Sequence, residues 1–427
     1  MNNDRSRRST RQETPKMVKV TMYNVGFGDS FLLTVSYEDS KKRHVLIDCG
    51  SKSKKEKHMA QVVEQIEKDC EGHLDAVVVT HRHSDHINAF GLAGPGDKLK
   101  ALNPKLVIQP WTEHPDADES ALNAPSNLTQ QELKHLNSLK DAQEFVKLLV
   151  DNPGQIMASA GPRISRQIER IASLSIYNKN AIIKLTEMGE KHEYVHAGVK
   201  TGLEELLPGV KITVLGPPNL KQSEEIRHQV RWDEDEFWKL YARVASVSST
   251  NISSKKGESQ LFPDAQTSAV GKAPSYVKWV INHLDRAQLH NVQRIVRILD
   301  NALNNTSVIL LFEVGDMVLL FPGDAQLESW QFVLSKREWK EKLSQVSLYK
   351  VGHHGSTNAT PKSLWQLFKN RDSVHKKLLS LLSTEKGHHS EVPRESLVKA
   401  LDSQTKLHNT QEWIRKLSEE YIVYERS

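Results

Sequence analysis

The sequence predicts one α/β domain interrupted by largely helical insertions. Strand-like apolar runs alternate with helical patterns at both ends of the chain. Several of these runs are short, β-branched and continuous, as in strands covered on both faces. The middle changes to long amphipathic stretches with few strand signals. With 427 residues, the chain has room for two or three average domains or one large domain with insertions, and this layout favours the second.

Taken in order, residues 1–16 carry Arg5, Arg7, Arg8, Arg11 and Lys16 and almost no apolar side chain. They read as a disordered basic tail ahead of a domain at 17–427. Val18–Met22 leads into a glycine-bearing turn, NVGFGD (24–29), and then FLLTV (31–35). HVLID (44–48) reads as a buried strand ending in Asp48-Cys49-Gly50. The basic run Lys52, Lys54, Lys55 and Lys57 reads as a solvated loop or helix start. Met59, Val62, Val63 and Ile66, spaced by three and four, predict a helix over 56–70. LDAVVVT (74–80) is a strand that stops at Thr80, and the next six residues are HRHSDH. LVIQPW (106–111) is another strand.

Insertions are expected at 112–208, which is helical, and at 219–300, which is helical with a flexible Ser/Lys/Gly-rich loop at 245–259. Between them lies a strand-like VKITVLGPP (210–218). TSVILLFEV (306–314) and MVLLFPGD (317–324) form a hairpin. VSLYKVGHHGS (346–356) and KLLSLLSTEKGHHS (377–390) are strands that run into histidines, and helices close the chain.

Composition narrows the class. With 38% hydrophobic and 26% charged residues, the chain is neither wholly disordered, nor collagenous, nor a coiled coil. Two cysteines, Cys49 and Cys70, exclude a disulfide scaffold and a Cys-rich zinc ribbon. No apolar run approaches the ~18 residues of a membrane helix, and no N-terminal stretch has signal-peptide form. A soluble, cytoplasmic protein with no membrane partner is therefore expected. The net charge of +5 is too small to establish nucleic-acid binding by itself. The 19 histidines are the unusual feature, and their positions decide what they mean.

Four elements share a layout in which an apolar strand hands over to a ligand-type side chain. Asp48 follows HVLI, His81-Arg82-His83-Ser84-Asp85-His86 follows AVVVT, Asp324 follows VLLFPG, and His353-His354 follows SLYKVG. Open α/β sheets place their sites at such strand ends. Three imidazoles and a carboxylate within six residues suit zinc, manganese or iron. Asp324 adds an oxygen and His353 or His354 a nitrogen, enough for one or two metal ions, Zn2+ or Mn2+.

At these residues the chain resembles the metallo-β-lactamase-fold hydrolases, whose signature is HxHxDH. NVGFGDSFLL (24–33), VLIDCG (45–50), VVVTHRHSDH (77–86), LLFPGD (319–324) and YKVGHHGS (349–356) are similar, in order, to the ComEC-like metallohydrolase branch. The resemblance implies a four-layer αββα sandwich. It implies one metal on His81 and His83, a second on Asp85, His86 and one of His353 and His354, Asp324 bridging both, and Asp48 behind them orienting a ligand histidine. The branch's histidine before the Gly-Asp strand is replaced here by Asn304-Asn305-Thr306-Ser307, so the first metal lacks its usual third histidine. Its late Gly-His-Pro reads Gly387-His388-His389-Ser390, which makes His388 and His389 candidates to contact a substrate phosphate or protonate the leaving group.

The chemistry implied is hydrolysis by a metal-activated water. Asp85 or Asp324 orients that water, and a nearby histidine protonates the departing oxygen. A phosphodiesterase or nuclease is favoured, with nucleic acid as its partner. The alternatives are a hydrolase of a small-molecule ester, lactone, thioester or amide, and a metal-bearing binding module. In the last, the helical insertions dock a protein partner.

Overall fold

The computed structural model describes residues 13–38, 40–114, 178–219, 222–223, 303–374, 377–388, 392–413 and 416–426. The chain divides into two compact units. One comprises Met1–His114, Asn178–Gln222 and Asn304–Ser427, and the other Pro115–Tyr177 and Ser223–Leu303. Every described element belongs to the first. Arg5, Arg7, Arg8 and Arg11 of the tail, residues 115–177 of the first expected insertion, and residues 224–300 of the second, with its loop at 245–259, lie outside the described residues.

The first sheet begins with β1 (Pro15–Tyr23), β2 (Ser30–Tyr37) and β3 (Lys42–Cys49), paired antiparallel. β4 (Ala76–Val78), β5 (Leu106–Pro110) and β6 (Lys191–Val195) follow in parallel beyond β3. β13 (Ser418–Glu425) closes the other edge against β1. The second sheet repeats the plan. β7 (Lys211–Gly216), β8 (Ile309–Val314) and β9 (Met317–Phe321) are antiparallel. β10 (Leu348–Lys350), β11 (Leu379–Leu382) and β12 (Lys406–Asn409) extend it in parallel from β9.

The continuous apolar runs have a simple cause. Successive side chains on a strand point to opposite faces, and here both faces are buried. Val45 and Ile47 of β3, with Ala76 and Val78 of β4, join Leu310, Phe312, Leu319 and Phe321 in a core between the sheets. Leu46 and Val77 point the other way, onto Met59, Val62, Val63 and Ile66 of α1 (Glu56–Asp69) and onto Ile87 and Phe90 of α2 (Ser84–Gly91). Leu311, Leu320 and Tyr349 of the second sheet pack outward against Trp330 and Val333, on the helix Leu327–Ser335. Three apolar clusters between four layers form the αββα sandwich that the family resemblance implies.

One boundary differs from the sequence reading. Residues 178–208, read as part of a helical insertion, contribute β6 to the first sheet. Its sequence, KHEYV, is short and mostly half-exposed, so it carries none of the apolar signal of the inner strands. β1 likewise begins at Pro15, just inside the expected tail.

Candidate metal centre

The parallel strands of both sheets point their C-terminal ends at one place. β3 delivers Asp48 in a left-handed conformation with φ 56°. β4 runs through Thr80 into His81 and His83, and α2 then starts, so Asp85 and His86 emerge from its first turn. The positive end of a helix favours a carboxylate at that position. After β9 the chain turns at Pro322-Gly323 into Asp324. After β10 it enters a tight turn, Gly352–Gly355, where His353 and His354 both have positive φ, 45° and 50°. Non-glycine residues adopt that region rarely and at a cost, and such strain collects at functional sites.

Two glycines let these segments pass close enough to converge. A Cβ on Gly28 would lie 2.2 Å from the Gly50 carbonyl oxygen and 2.7 Å from that of Asp85. A Cβ on Gly50 would lie 2.6 Å from the backbone of Asp85 and His86. The amide of Asp29 donates to the Asp85 carbonyl at 2.9 Å, which fixes the NVGFGDS turn beside the metal motif.

Asp85, His86, Asp324 and His354 form one group, each offering an atom within 4.8 Å of the others, and all four are buried. His354 Nε2 lies 2.9 Å from Asp85 Oδ2 and 3.9 Å from Asp324 Oδ2. His86 Nε2 lies 3.1 Å from Asp324 Oδ2, yet neither atom makes an aligned hydrogen bond. Buried polar atoms are seldom left so, and two facing lone pairs are what a cation would fill. This donor set of imidazole and carboxylate fits a divalent metal.

The tautomers are set from behind, as inferred from hydrogen bonding. His86 Nδ1 donates to Asp48 Oδ2 at 2.7 Å, and the Thr80 amide and hydroxyl each donate to Asp48 at 2.7 Å. His354 Nδ1 lies 3.0 Å from the Ser383 carbonyl oxygen and donates to it. Both rings therefore turn Nε2 towards the centre.

Of the remaining expected residues, His81 Nε2 lies 3.0 Å from His83 Nδ1 and 4.0 Å from Asp324 Oδ2. His353 is a quarter exposed, with Nε2 3.9 Å from Asp324 Oδ2 and its backbone N–H donating to Asp324 Oδ1 at 3.1 Å. His388 lies farther out, with the Phe27 ring between it and His354 at centroid distances of 4.8 and 4.3 Å. His389 lies outside the described residues.

The electrostatics show a centre short of positive charge. Burial opposes ionisation of Asp85, but Lys52 and His354 hold its carboxyl well below the usual range. Burial likewise opposes the charge of Asp324, and His86 and His353 overcome it. Burial would lower His86, yet Asp324 and Asp48, when no cation lies between them, push it well above its ordinary value, charge that a bound cation would replace. Burial and the neighbouring His86 and His83 push His81 well below its ordinary value.

Sequence reasoning missed three charged members. Asp29 lies 3.8 Å from both His86 Nδ1 and His354 Nδ1 and pairs with the buried Lys350. Lys52 Nζ is 3.1 Å from Asp85 Oδ1, and Lys54 pairs with Glu385. The basic run is therefore not a simple solvated loop. Only the GFGDS turn, unusually rich in glycine next to an acid, hinted at Asp29.

Residues 23–153 match the family model described as the Metallo-beta-lactamase superfamily. The matched stretch holds Asp48 and His81–His86 and ends before Asp324 and His353-His354. That superfamily comprises metal-dependent hydrolases that usually bind divalent metals, in agreement with the αββα layers and the buried cluster of ligand-type residues. No match to a curated protein was found. No helix among the described residues is long and apolar enough to cross a membrane.

Proposed function

We propose that the protein is a metal-dependent phosphodiesterase or nuclease of the ComEC-like branch, working on nucleic acid in the cytoplasm. The observation that carries hydrolysis is the convergence of Asp85, His86, Asp324 and His354 at buried strand ends. The phosphodiester preference rests on the order and spelling of NVGFGDS, VLIDCG, LLFPGD and KVGHHGS, supported by the ammonium of Lys52 beside the centre.

Asp85, His86, Asp324 and His354 would hold a divalent cation, zinc or manganese, with His81 Nε2 4.0 Å from Asp324 Oδ2 and His83 against His81. Such a cation, when bound, supplies a water ionised near neutral pH and neutralises charge developing on a phosphoryl oxygen. Asp48 keeps the His86 proton on Nδ1 and its Nε2 lone pair inward. Asp324, with Oδ1 held by the His353 amide, keeps Oδ2 turned towards His86 and the cation site, and Asp85 or Asp324 orients the attacking water. His353 reaches the centre from a partly exposed position and delivers a proton to the leaving oxygen, with His388 and His389 as further donors. The inserted segments Pro115–Tyr177 and Ser223–Leu303 are where a protein partner would dock.

The test is cleavage of single- and double-stranded DNA and RNA by the full chain with Mn2+ or Zn2+. Turnover should disappear with chelator and in Asp85→Ala. Absence of cleavage on every nucleic acid with either metal, alongside turnover of an ester or lactone, would refute the phosphodiester assignment.

A further inference from the structure

Two lysines to which the scheme assigns no ligand or proton-transfer role lie against the carboxylates of the centre. Lys350, only 2% exposed, pairs with Asp29, lies 3.6 Å from Asp324 Oδ1, and donates to the Gly323 carbonyl at 3.2 Å. Lys52, 15% exposed, lies 3.1 Å from Asp85 Oδ1. Lys350 occupies the Asp29 carboxylate and Lys52 occupies Asp85 Oδ1, positions otherwise open to a metal ion.

The other positions for a second ion are poor. Asp29, Asp48 and His86 are close enough together to hold one. However, Lys350 already sits on Asp29, and Asp48 already accepts from Thr80 and His86. His81 and His83 face each other, but the Asp324 oxygen is 4.0 Å from His81 Nε2, and the turn Asn304–Ser307 beside Asp324 brings no histidine.

Charge balance agrees. Asp29, Asp48, Asp85 and Asp324 are four buried carboxylates facing two ammonium groups, since ligand imidazoles are neutral. One divalent cation cancels the two negative charges that remain. A second would leave the interior positively charged, which a low-dielectric medium resists.

We infer that Lys350 and Lys52 serve as built-in cations in place of a second metal ion, so that the centre takes a single divalent cation at Asp85, His86, Asp324 and His354. This rests on the metal-dependent hydrolase reading above. The metal-free full-length protein is titrated with Co2+, following its visible absorption and the heat of binding. Both should saturate at one equivalent per chain. Lys52→Met should then bind that one Co2+ at least tenfold more tightly. Even with water-like screening, a unit positive charge ~5 Å from a divalent ion weakens its binding by about that factor. If Lys52→Met does not fold, as judged by circular dichroism, Lys52→Gln gives the same comparison. Two tight equivalents in the natural protein would overturn the inference and leave the hydrolase reading standing. Unchanged or weaker affinity in a folded Lys52 variant would overturn it too. No binding of Co2+ would remove both.

Discussion

Asp48→Asn isolates the role of the residue behind the centre. The Asp48 carboxylate is fully buried and accepts three hydrogen bonds of 2.7 Å, one on Oδ1 from the Thr80 amide and two on Oδ2 from the Thr80 hydroxyl and His86 Nδ1. Asparagine keeps the shape and tolerates the φ of 56°. Its single oxygen must stay on the Thr80 amide, because that N–H cannot rotate. The NH2 group then faces His86 Nδ1 and donates to it. This moves the ring proton to Nε2, where it points at Asp324 and removes the lone pair a metal needs. The Thr80 hydroxyl can turn and accept, so the fold loses little, about 1–2 kcal/mol. Loss of such a supporting partner costs metal affinity ~10–100-fold, or roughly 1.4–2.8 kcal/mol. Chelator competition measures the affinity, and chemical denaturation measures the stability. Asp48→Asn affinity within twofold of the natural protein would refute the tautomer argument.

Other outcomes follow from the same geometry. Gly28→Ala, whose Cβ would sit 2.2 Å from the Gly50 carbonyl oxygen, should cost at least ~2–3 kcal/mol in urea unfolding and loosen the metal motif. Burial pushes the His44 imidazole down to about 4, so the folded state resists a proton that the unfolded state takes up near 6.5. Stability from this group is present above pH 6.5 and lost as pH falls towards 4, about 2 kcal/mol at pH 5 relative to pH 7.5. His44→Gln should flatten that part of the urea-midpoint profile. Chelation should lower the melting temperature, since ligand at 100 times its Kd contributes about 2.7 kcal/mol. The same treatment of Asp85→Ala should change nothing.

The legible part of this molecule was the local part. β3, β4, β8 and β9 announced themselves as apolar runs because both faces of each sheet are covered. The HRHSDH segment was legible because its ligand-type residues crowd into six positions. β6 was invisible because an edge strand of charged and half-exposed residues has no apolar period. Asp29, Lys350 and Lys52 were missed because their meaning lies in partners distant in the chain, Asp29 pairing with Lys350 and Lys52 with Asp85 beyond α1 and β4. A single Lys in VSLYKVG reads as an accident in a strand until the acid it neutralises is known.

The sites on the two sheets are halves of one thing. Asp85 and His354, 269 residues apart, come 2.9 Å together only when the sheets have closed on each other. Neither half alone presents more than part of the ligand group of Asp85, His86, Asp324 and His354. A ribosome-bound chain, or a fragment ending before Asp324, therefore has no complete place to seize a metal ion. Any cation held by all four residues therefore depends on the two sheets having closed on each other.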